Sequence, residues 1–317
     1  MPPTTNLVGV QAGPRCPVPL VCPACHGQLL LGDEVSCAHC GSTFRFQDRF
    51  LDLVIGERFE DATDEWQKAY EERANEDSTR KFWKRLLERE VGIRGARVLS
   101  LGCGTGADVD LLTGYGFDAI GVDCGNRISA WGHRTHRERL ILANGLHLPF
   151  DNETFDAVYC GCVFPHVGVL GDTQTVAPGY QMARLALAQE MTRVLKSSGV
   201  IFAASPNRLF PLDLFHGRTA GQYRPLRNDR KNPFLLSVED YDHLFGQVGC
   251  AQVHALSIAG YWGFVRSRRT LKGFVLGLPV RAWLWAISTA PAKPLYGSSL
   301  SPWIAVMAHK QHEGNGR

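Results

Sequence analysis

The chain has 317 residues, 44% of them hydrophobic and 21% charged, with a formal net charge of +3 at pH 7. That length suits one large core of roughly 220 to 250 residues plus a small appended module. Its ten cysteines do not form a secreted disulfide framework: four sit in metal-binding spacing, and Cys16, Cys103, Cys124, Cys160, Cys162 and Cys250 are scattered, mostly in apolar runs, which points to a reducing, cytoplasmic compartment.

Residues 1–15, MPPTTNLVGVQAGPR, lack a charged stretch followed by a long apolar one, so they are expected to form a disordered leader and not an export signal. Residues 16–56 hold CPACHGQLLLGDEVSCAHCG, in which Cys22, Cys25, Cys37 and Cys40 form two Cys-x-x-Cys pairs. Two such knuckles can set four thiolates around one tetrahedral zinc, a small β zinc ribbon. Redox-active pairs or free buried thiols are the alternative, but redox motifs seldom come as two pairs at this spacing. A shell of four cysteines leaves no open position, so the zinc is expected to be structural and its binding energy to serve folding. His26 and His39 are expected to face solvent beside it.

The stretch FRFQDRFLDLV predicts a strand that docks onto the downstream domain. Residues 57–92 turn charged and helix-favouring, with Trp66, Tyr70, Phe82, Trp83, Leu86 and Leu87 at helical spacings. They predict amphipathic helices, a lead-in that is also placed to cap a site in the next domain.

The segment ARVLSLGCGTGADVDLLTGYGFDAIGVD carries the strongest signal. Val98 to Leu101 predicts a strand, Gly102 to Gly106 a turn, Ala107 to Tyr115 a helix closed by Gly116, and Ala119 to Val122 a second strand ending in Asp123. Glycines let the backbone approach a ligand, the helix N-terminus offers free N–H groups, and an acid roughly 20 residues on can accept both ribose hydroxyls. Taken alone, Gly102, Gly104 and Ala107 also fit a dinucleotide-binding fingerprint.

The downstream residues separate the two. LSLGCGTG (99–106), GVD (121–123), ANGLHLPFDNETFDAV (143–158), HV (166–167) and RVLKSSG (193–199) succeed one another in an order and spacing that resembles the class I S-adenosylmethionine-dependent methyltransferases. The resemblance runs over roughly residues 93–205. It implies an α/β, Rossmann-like, seven-stranded sheet with helices on both faces, over residues 93–317. It implies S-adenosylmethionine as cofactor, with Gly102, Gly104 and Gly106 along its methionine part and Asp123 on its ribose. Asn144, where the family usually has Asp, is implied to sit with Gly145 and Leu146 at the adenine edge. Ser100 replaces the common Asp of the first strand, which weakens one link to the cofactor. Cys160 and Cys162 read as core and cofactor-wall residues.

Ligands of doubly wound sheets bind beyond the carboxyl ends of the strands. His166, after the fourth strand, and His216, after the fifth, are therefore the candidate catalytic residues, with Asn207 and Asp213 as polar company. Methyl transfer from a sulfonium is an in-line displacement, so positioning and exclusion of water can suffice, and a base is needed only if the acceptor holds its proton. SVEDYDHLFGQVGC predicts the helix before the sixth strand, AQVHALSIAGYW that strand, and SPWIAVMAHK a last strand returning antiparallel. Between the last two lies an apolar, aromatic and basic insertion at about 263–300. Pro279 and Arg281 interrupt it, so it predicts a helical roof over the acceptor pocket, with a peripheral membrane contact or a nucleic-acid contact as alternatives. From Ala251 to Arg317, eight Lys and Arg face one acid, Glu313.

Three functions fit these residues. The first is methylation of a small-molecule or lipid-like acceptor, in keeping with the insertion and the near-neutral charge. The second is RNA methylation, because a zinc ribbon ahead of this fold resembles bacterial ribosomal-RNA guanine methyltransferases; the ribbon, however, has only Arg45 and Arg49 near its end and no basic stripe interleaved with aromatics. The third is protein interaction, since CPACHGQL and CAHCGSTF resemble the small zinc ribbons that bind and activate methyltransferases, here fused to the enzyme.

Overall fold

The computed structural model describes residues 16–32, 34–59, 65–171, 173–216, 226–261, 275 and 278–311, with the side chains of 65–67 outside that set. The expected leader, the side chain of Trp66 and most of 263–277 therefore lie outside the described residues.

The N-terminal module is a three-stranded antiparallel sheet of β1 (Leu29–Leu30), β2 (Val35–Cys37) and β3 (Thr43–Phe44). The single strand expected after it is instead a hairpin of β4 (Phe46–Gln47) and β5 (Phe50–Leu51). Asp48 and Arg49 turn it, both with positive φ.

A helix, α1 (Glu65–Ser78), continues through a π-helical turn at Thr79–Trp83 into α2 (Lys84–Val91). The Thr79 hydroxyl donates to the Asn75 carbonyl at 2.8 Å, a back-bond that competes with the helical ladder where the turn widens.

The main sheet contains β6 (Arg97–Leu101), β7 (Asp118–Asp123), β8 (Leu140–Leu142), β9 (Phe155–Gly161), β10 (Leu195–Pro206), β13 (His254–Ala255) and β14 (Trp303–His309); two further short strands, β11 (Leu212–Asp213) and β12 (Leu226–Arg227), pair with each other outside it. The order is β13-β14-β10-β9-β6-β7-β8. Strands β6 to β10 of this sheet run parallel and β14 runs antiparallel between β10 and β13. This is the seven-stranded Rossmann-like sheet that the resemblance implied. The sixth strand is only two residues long, because Tyr261 already turns back to Ile258 and Leu256 contributes a single bond to Ala305.

Alternate residues of each strand point to opposite faces, and the buried side chains divide accordingly. Leu99, Leu101, Ile120, Val122, Val158, Ile201 and Val306 pack with α4 (Tyr180–Val194) and α5 (Val238–Gly246) through Leu187, Met191, Tyr241 and Phe245. Val98, Ala119, Tyr159, Phe202 and Ala305 pack on the other side with α2 and with α3 (Ala107–Gly114) through Leu87, Val109 and Leu112. Helices thus cover both faces.

The ribbon is part of the first of these cores. Val18, Cys22, Val35, Cys37, Phe44 and Leu53 are buried together with Ile141, Leu148 and Phe150. Backbone bonds fix the junction: Leu53 N–H donates to the Leu142 carbonyl at 2.9 Å, and Val21 N–H to the Pro149 carbonyl at 3.0 Å. The appended module covers β8, the end strand of the sheet order, which would otherwise offer unpaired backbone groups.

No helix among the described residues is long and apolar enough to cross a membrane. The end of the insertion forms a helix at Leu278–Ala286.

Candidate active site

From β6 the chain goes to β7 and β8 on one side, then returns to β9 on the other. The crevice at that switch point is where open parallel sheets bind ligands, and here a cavity of about 500 Å³ opens.

Its floor is the glycine loop. Gly102, Gly104 and Gly106 have φ of 73°, 56° and 77°, a region that only glycine enters without strain. A Cβ on Gly102 would stand 2.5 Å from Val163 Cγ2. Gly102 and Gly104 line the cavity, whereas Gly106 does not: it precedes α3 and leaves room for Leu140, whose Cδ1 would be 2.7 Å from a Cβ there. Its place in the motif serves packing.

Asp123 ends β7 beside the loop. Its carboxylate accepts the N–H groups of Gly104 and Gly125, each at 2.8 Å. Burial pushes this carboxyl up from its usual range, and the two N–H donors pull the other way. Trp131, which sequence reasoning missed, donates its indole N–H to the Gly104 carbonyl at 2.8 Å and holds the loop from its other side.

Asn144, Gly145 and Leu146 line the wall of the crevice. The Asn144 amide donates to the Glu57 carbonyl at 2.9 Å and accepts the Leu146 N–H at 3.0 Å. It fastens the lead-in segment to the site, and its oxygen keeps a second lone pair for a ligand.

Ser100 has a partner that the sequence did not suggest. Its hydroxyl donates to Asp108 at 2.5 Å, and the Tyr159 hydroxyl donates to the same carboxylate oxygen at 2.6 Å. Asp108 is 2% exposed, and burial raises its pKa. An acid stands in this wall after all, supplied from α3 and not from β6.

The lead-in helix closes the crevice. Glu71, Glu72, Asn75 and Ser78 of α1 line the cavity. Glu71 pairs with Arg127 at 2.5 Å and Glu72 with Arg134, and Arg134 also donates to the Thr105 carbonyl of the glycine loop at 2.7 Å.

Cys162, His166 and His216 also line the cavity. The His166 and His216 rings lie 5.2 Å apart, flanked by Phe59 and Phe234. Asp213, 2% exposed, meets His216 Nδ1 at 2.9 Å, and His216 Nε2 lies 3.8 Å from Cys162 Sγ. Burial would lower the His216 pKa, but the Asp213 hydrogen bond and the neighbouring Cys162 outweigh it and raise it to about 10.

Besides Gly106, two expected residues stand outside the cavity lining. Cys160 points to the opposite face of β9 from Tyr159 and is buried in the core with Leu187 and Phe245, so the wall is made by Tyr159, Gly161 and Cys162. Asn207 donates to the carbonyls of Ser298 and Ser301 at 2.8 and 2.9 Å; it ties down the 298–301 turn and does not join the histidines.

In the ribbon, the sulfur atoms of Cys22, Cys25, Cys37 and Cys40 lie within 4.8 Å of one another. Cys22 to Cys40 is 3.7 Å and Cys25 to Cys37 is 3.5 Å, close to the edge of about 3.8 Å that a zinc–sulfur bond of about 2.3 Å gives a tetrahedron. The N–H groups of His39 and Cys40 point at Cys37 Sγ, donors that suit a thiolate. The four residues fit a zinc ion, and His26 and His39 are exposed beside them.

The family model described as a methyltransferase domain matches residues 99–203. An uncharacterized protein of Methanocaldococcus jannaschii is 32% identical over 123 residues, 39% of this chain and 46% of its own length. The demethylmenaquinone methyltransferase of Corynebacterium urealyticum is 28% identical over 138 residues, 41% of this chain and 58% of its own. The chain thus spans about half the length of these curated relatives. Among solved structures, a complex between the Haloferax volcanii Trm112 methyltransferase activator and a methyltransferase is similar at 16% identity and a TM-score of 0.46, covering 79% of this chain and 95% of that one. Residues 99–203 thus match a methyltransferase domain, and they run from β6 into β10 of the seven-stranded sheet.

Proposed function

We propose that the chain transfers the methyl group of S-adenosylmethionine to a small-molecule or lipid-like acceptor held beside Cys162, His166 and His216. The observation that carries this reading is that one cavity is lined both by the glycine loop, Asp123 and Asn144 and by the two histidines. Its volume of about 500 Å³ is in the range of small-ligand sites.

The cofactor, when bound, supplies an electrophilic methyl on a sulfonium. The Asp123 carboxylate is placed to accept ribose hydroxyls, and the backbone of Gly102 and Gly104 to lie along the methionine part. Asn144 and Leu146 offer the adenine edge an amide oxygen and an apolar wall. The α1 helix, held by Glu71–Arg127 and Glu72–Arg134, excludes water, which favours displacement at carbon over side reactions. The two imidazoles orient the acceptor atom behind the methyl, and orientation is the main requirement of an in-line displacement.

An acceptor with an apolar tail is supported by the helix Leu278–Ala286, where Leu278, Val280, Trp283 and Trp285 are all exposed. Such a face suits contact with a lipid surface or a lipid-borne acceptor. The four ribbon cysteines are inferred to hold a structural zinc.

The test is calorimetric binding of S-adenosylmethionine, followed by transfer of its labelled methyl group into fractions of a cell extract. Label in an organic-solvent or small-molecule fraction supports the proposal. Label in RNA, with activity falling steeply as salt rises, would overturn the acceptor class.

A further inference from the structure

We propose that Cys162, His166 and His216 form a second, open zinc site in the wall of the cavity, whose vacant position takes the oxygen or sulfur of the acceptor. The inference rests on the methyltransferase reading for the acceptor, but the metal site itself stands on geometry.

The three side chains come from different segments. Cys162 follows β9, His166 ends a short 3-10 turn at Phe164–His166, and His216 follows β11. Each offers one ligand atom, and these atoms all lie within 4.8 Å of one another. The spacing of 3.8 Å between Cys162 Sγ and His216 Nε2 is within about 0.3 Å of the edge of about 3.5 Å expected when zinc–sulfur and zinc–nitrogen bonds of about 2.3 and 2.0 Å meet at a tetrahedral angle.

Two features hold the ligands where a metal needs them. Asp213 meets His216 Nδ1 at 2.9 Å, which leaves Nε2 directed at Cys162, where zinc would take the place of the Nε2 proton and release it to solvent; a carboxylate behind a ligating histidine is the usual outer support of a zinc site. Cys162 has φ of 60°, a left-handed conformation that costs a non-glycine residue on the order of 1 kcal/mol. Its N–H donates to the Ala204 carbonyl at 2.7 Å, so the strained backbone is fixed by the adjacent strand. Phe59 and Phe234 around the two imidazoles supply the apolar shell that limits solvent at such a centre.

The contrast with the ribbon defines the role. Four thiolates close a shell, whereas one thiolate and two imidazoles leave a fourth position, and all three residues line the cavity. A hydroxyl or thiol acceptor bound there loses its proton to solvent on coordination. Its lone pair then forms the bond to the methyl carbon as the carbon–sulfur bond of the sulfonium breaks, leaving the neutral thioether.

The experiment is elemental analysis of the full chain after equilibrium dialysis against micromolar zinc. The expected result is two zinc ions per chain in the wild type and one in Cys162→Ala and in His216→Gln. One zinc in the wild type overturns the site, as does a count of two in both variants. Should either variant fail to fold, the wild-type count still decides. A chain that binds S-adenosylmethionine but holds one zinc loses this proposal alone; one that holds two and does not bind the cofactor loses the methyltransferase reading alone.

Discussion

Asp123 Oδ2 accepts the Gly104 N–H at 2.8 Å, so the acid that ends β7 also fixes the glycine loop after β6. The two features of the motif are thus one unit. Replacing Asp123 with Ala removes both the carboxylate proposed to meet the ribose and a restraint on the loop. Each hydrogen bond to a charged group contributes about 1.5–3 kcal/mol, so S-adenosylmethionine affinity should fall at least about tenfold by calorimetry. Unchanged affinity would remove Asp123 from the site.

The α1 helix is clamped to the same loop through Arg134, which pairs with Glu72 and donates to the Thr105 carbonyl. In Glu72→Ala the helix keeps the Glu71–Arg127 pair but loses one of its two anchors. The pair is partly exposed, so its stabilisation is about 1 kcal/mol or less, and the melting temperature should scarcely move. Release of S-adenosylhomocysteine, measured by stopped-flow, should accelerate severalfold; an unchanged release rate would mean that α1 is a fixed wall.

Much of this site was legible because its residues satisfy backbone constraints. Gly102 and Gly104 must be glycine at positive φ, and Asp123 must end a strand two positions from a turn, so a local pattern locates them. The residues that escaped sequence reasoning act through distant partners. Trp131 reaches Gly104 across 27 positions and Arg134 reaches Glu72 across 62, and no local pattern marks either. Cys160 and Cys162 could not be told apart, because residues two apart on a strand share a face; what separates them is the left-handed turn at Cys162, φ 60°, just past β9, which no local pattern marks. Asp213 was noticed as polar company, but its pairing with His216 depends on a short turn after β11 whose geometry the sequence does not reveal.

Asp118 offers a test of electrostatics away from the site. At the start of β7 it accepts from Arg97 at 2.8 Å and Arg139 at 2.6 Å. Partial burial pushes its carboxyl up, but the two guanidinium groups prevail and hold it below the usual carboxylate range. A group whose folded pKa is depressed contributes stability above its unfolded pKa and loses it as pH falls through the folded one. Asp118→Asn should therefore cost about 1 kcal/mol at pH 7, after allowance for solvent screening. In urea melts, the gap from wild type should narrow as pH drops below about 4. A gap independent of pH would make the loss steric.

The two roles open to the ribbon, brace and docking plate, differ in how it is attached. Cys22 and Cys37 are buried in the same core as Ile141, Leu148 and Phe150 of the main domain. The backbone bonds from Leu53 to Leu142 and from Val21 to Pro149 extend that continuity to the sheet edge. A docking plate joined by a linker could unfold without consequence for the sheet, but a module sharing a core cannot. If the four thiolates hold the proposed zinc, Cys37→Ser removes one of them and the binding energy of the metal is lost to folding, so that Val35, Phe44 and Leu53 lose the frame that presents them to Ile141. The expected outcome is insoluble protein or, where soluble, a single melting transition lowered by upward of ~5 °C, since each kcal/mol shifts a domain of this size by about 2–4 °C. A chelator should lower the wild-type transition in the same way. A soluble variant that melts as the wild type does, yet transfers no methyl group, would instead assign the ribbon to acceptor or partner docking.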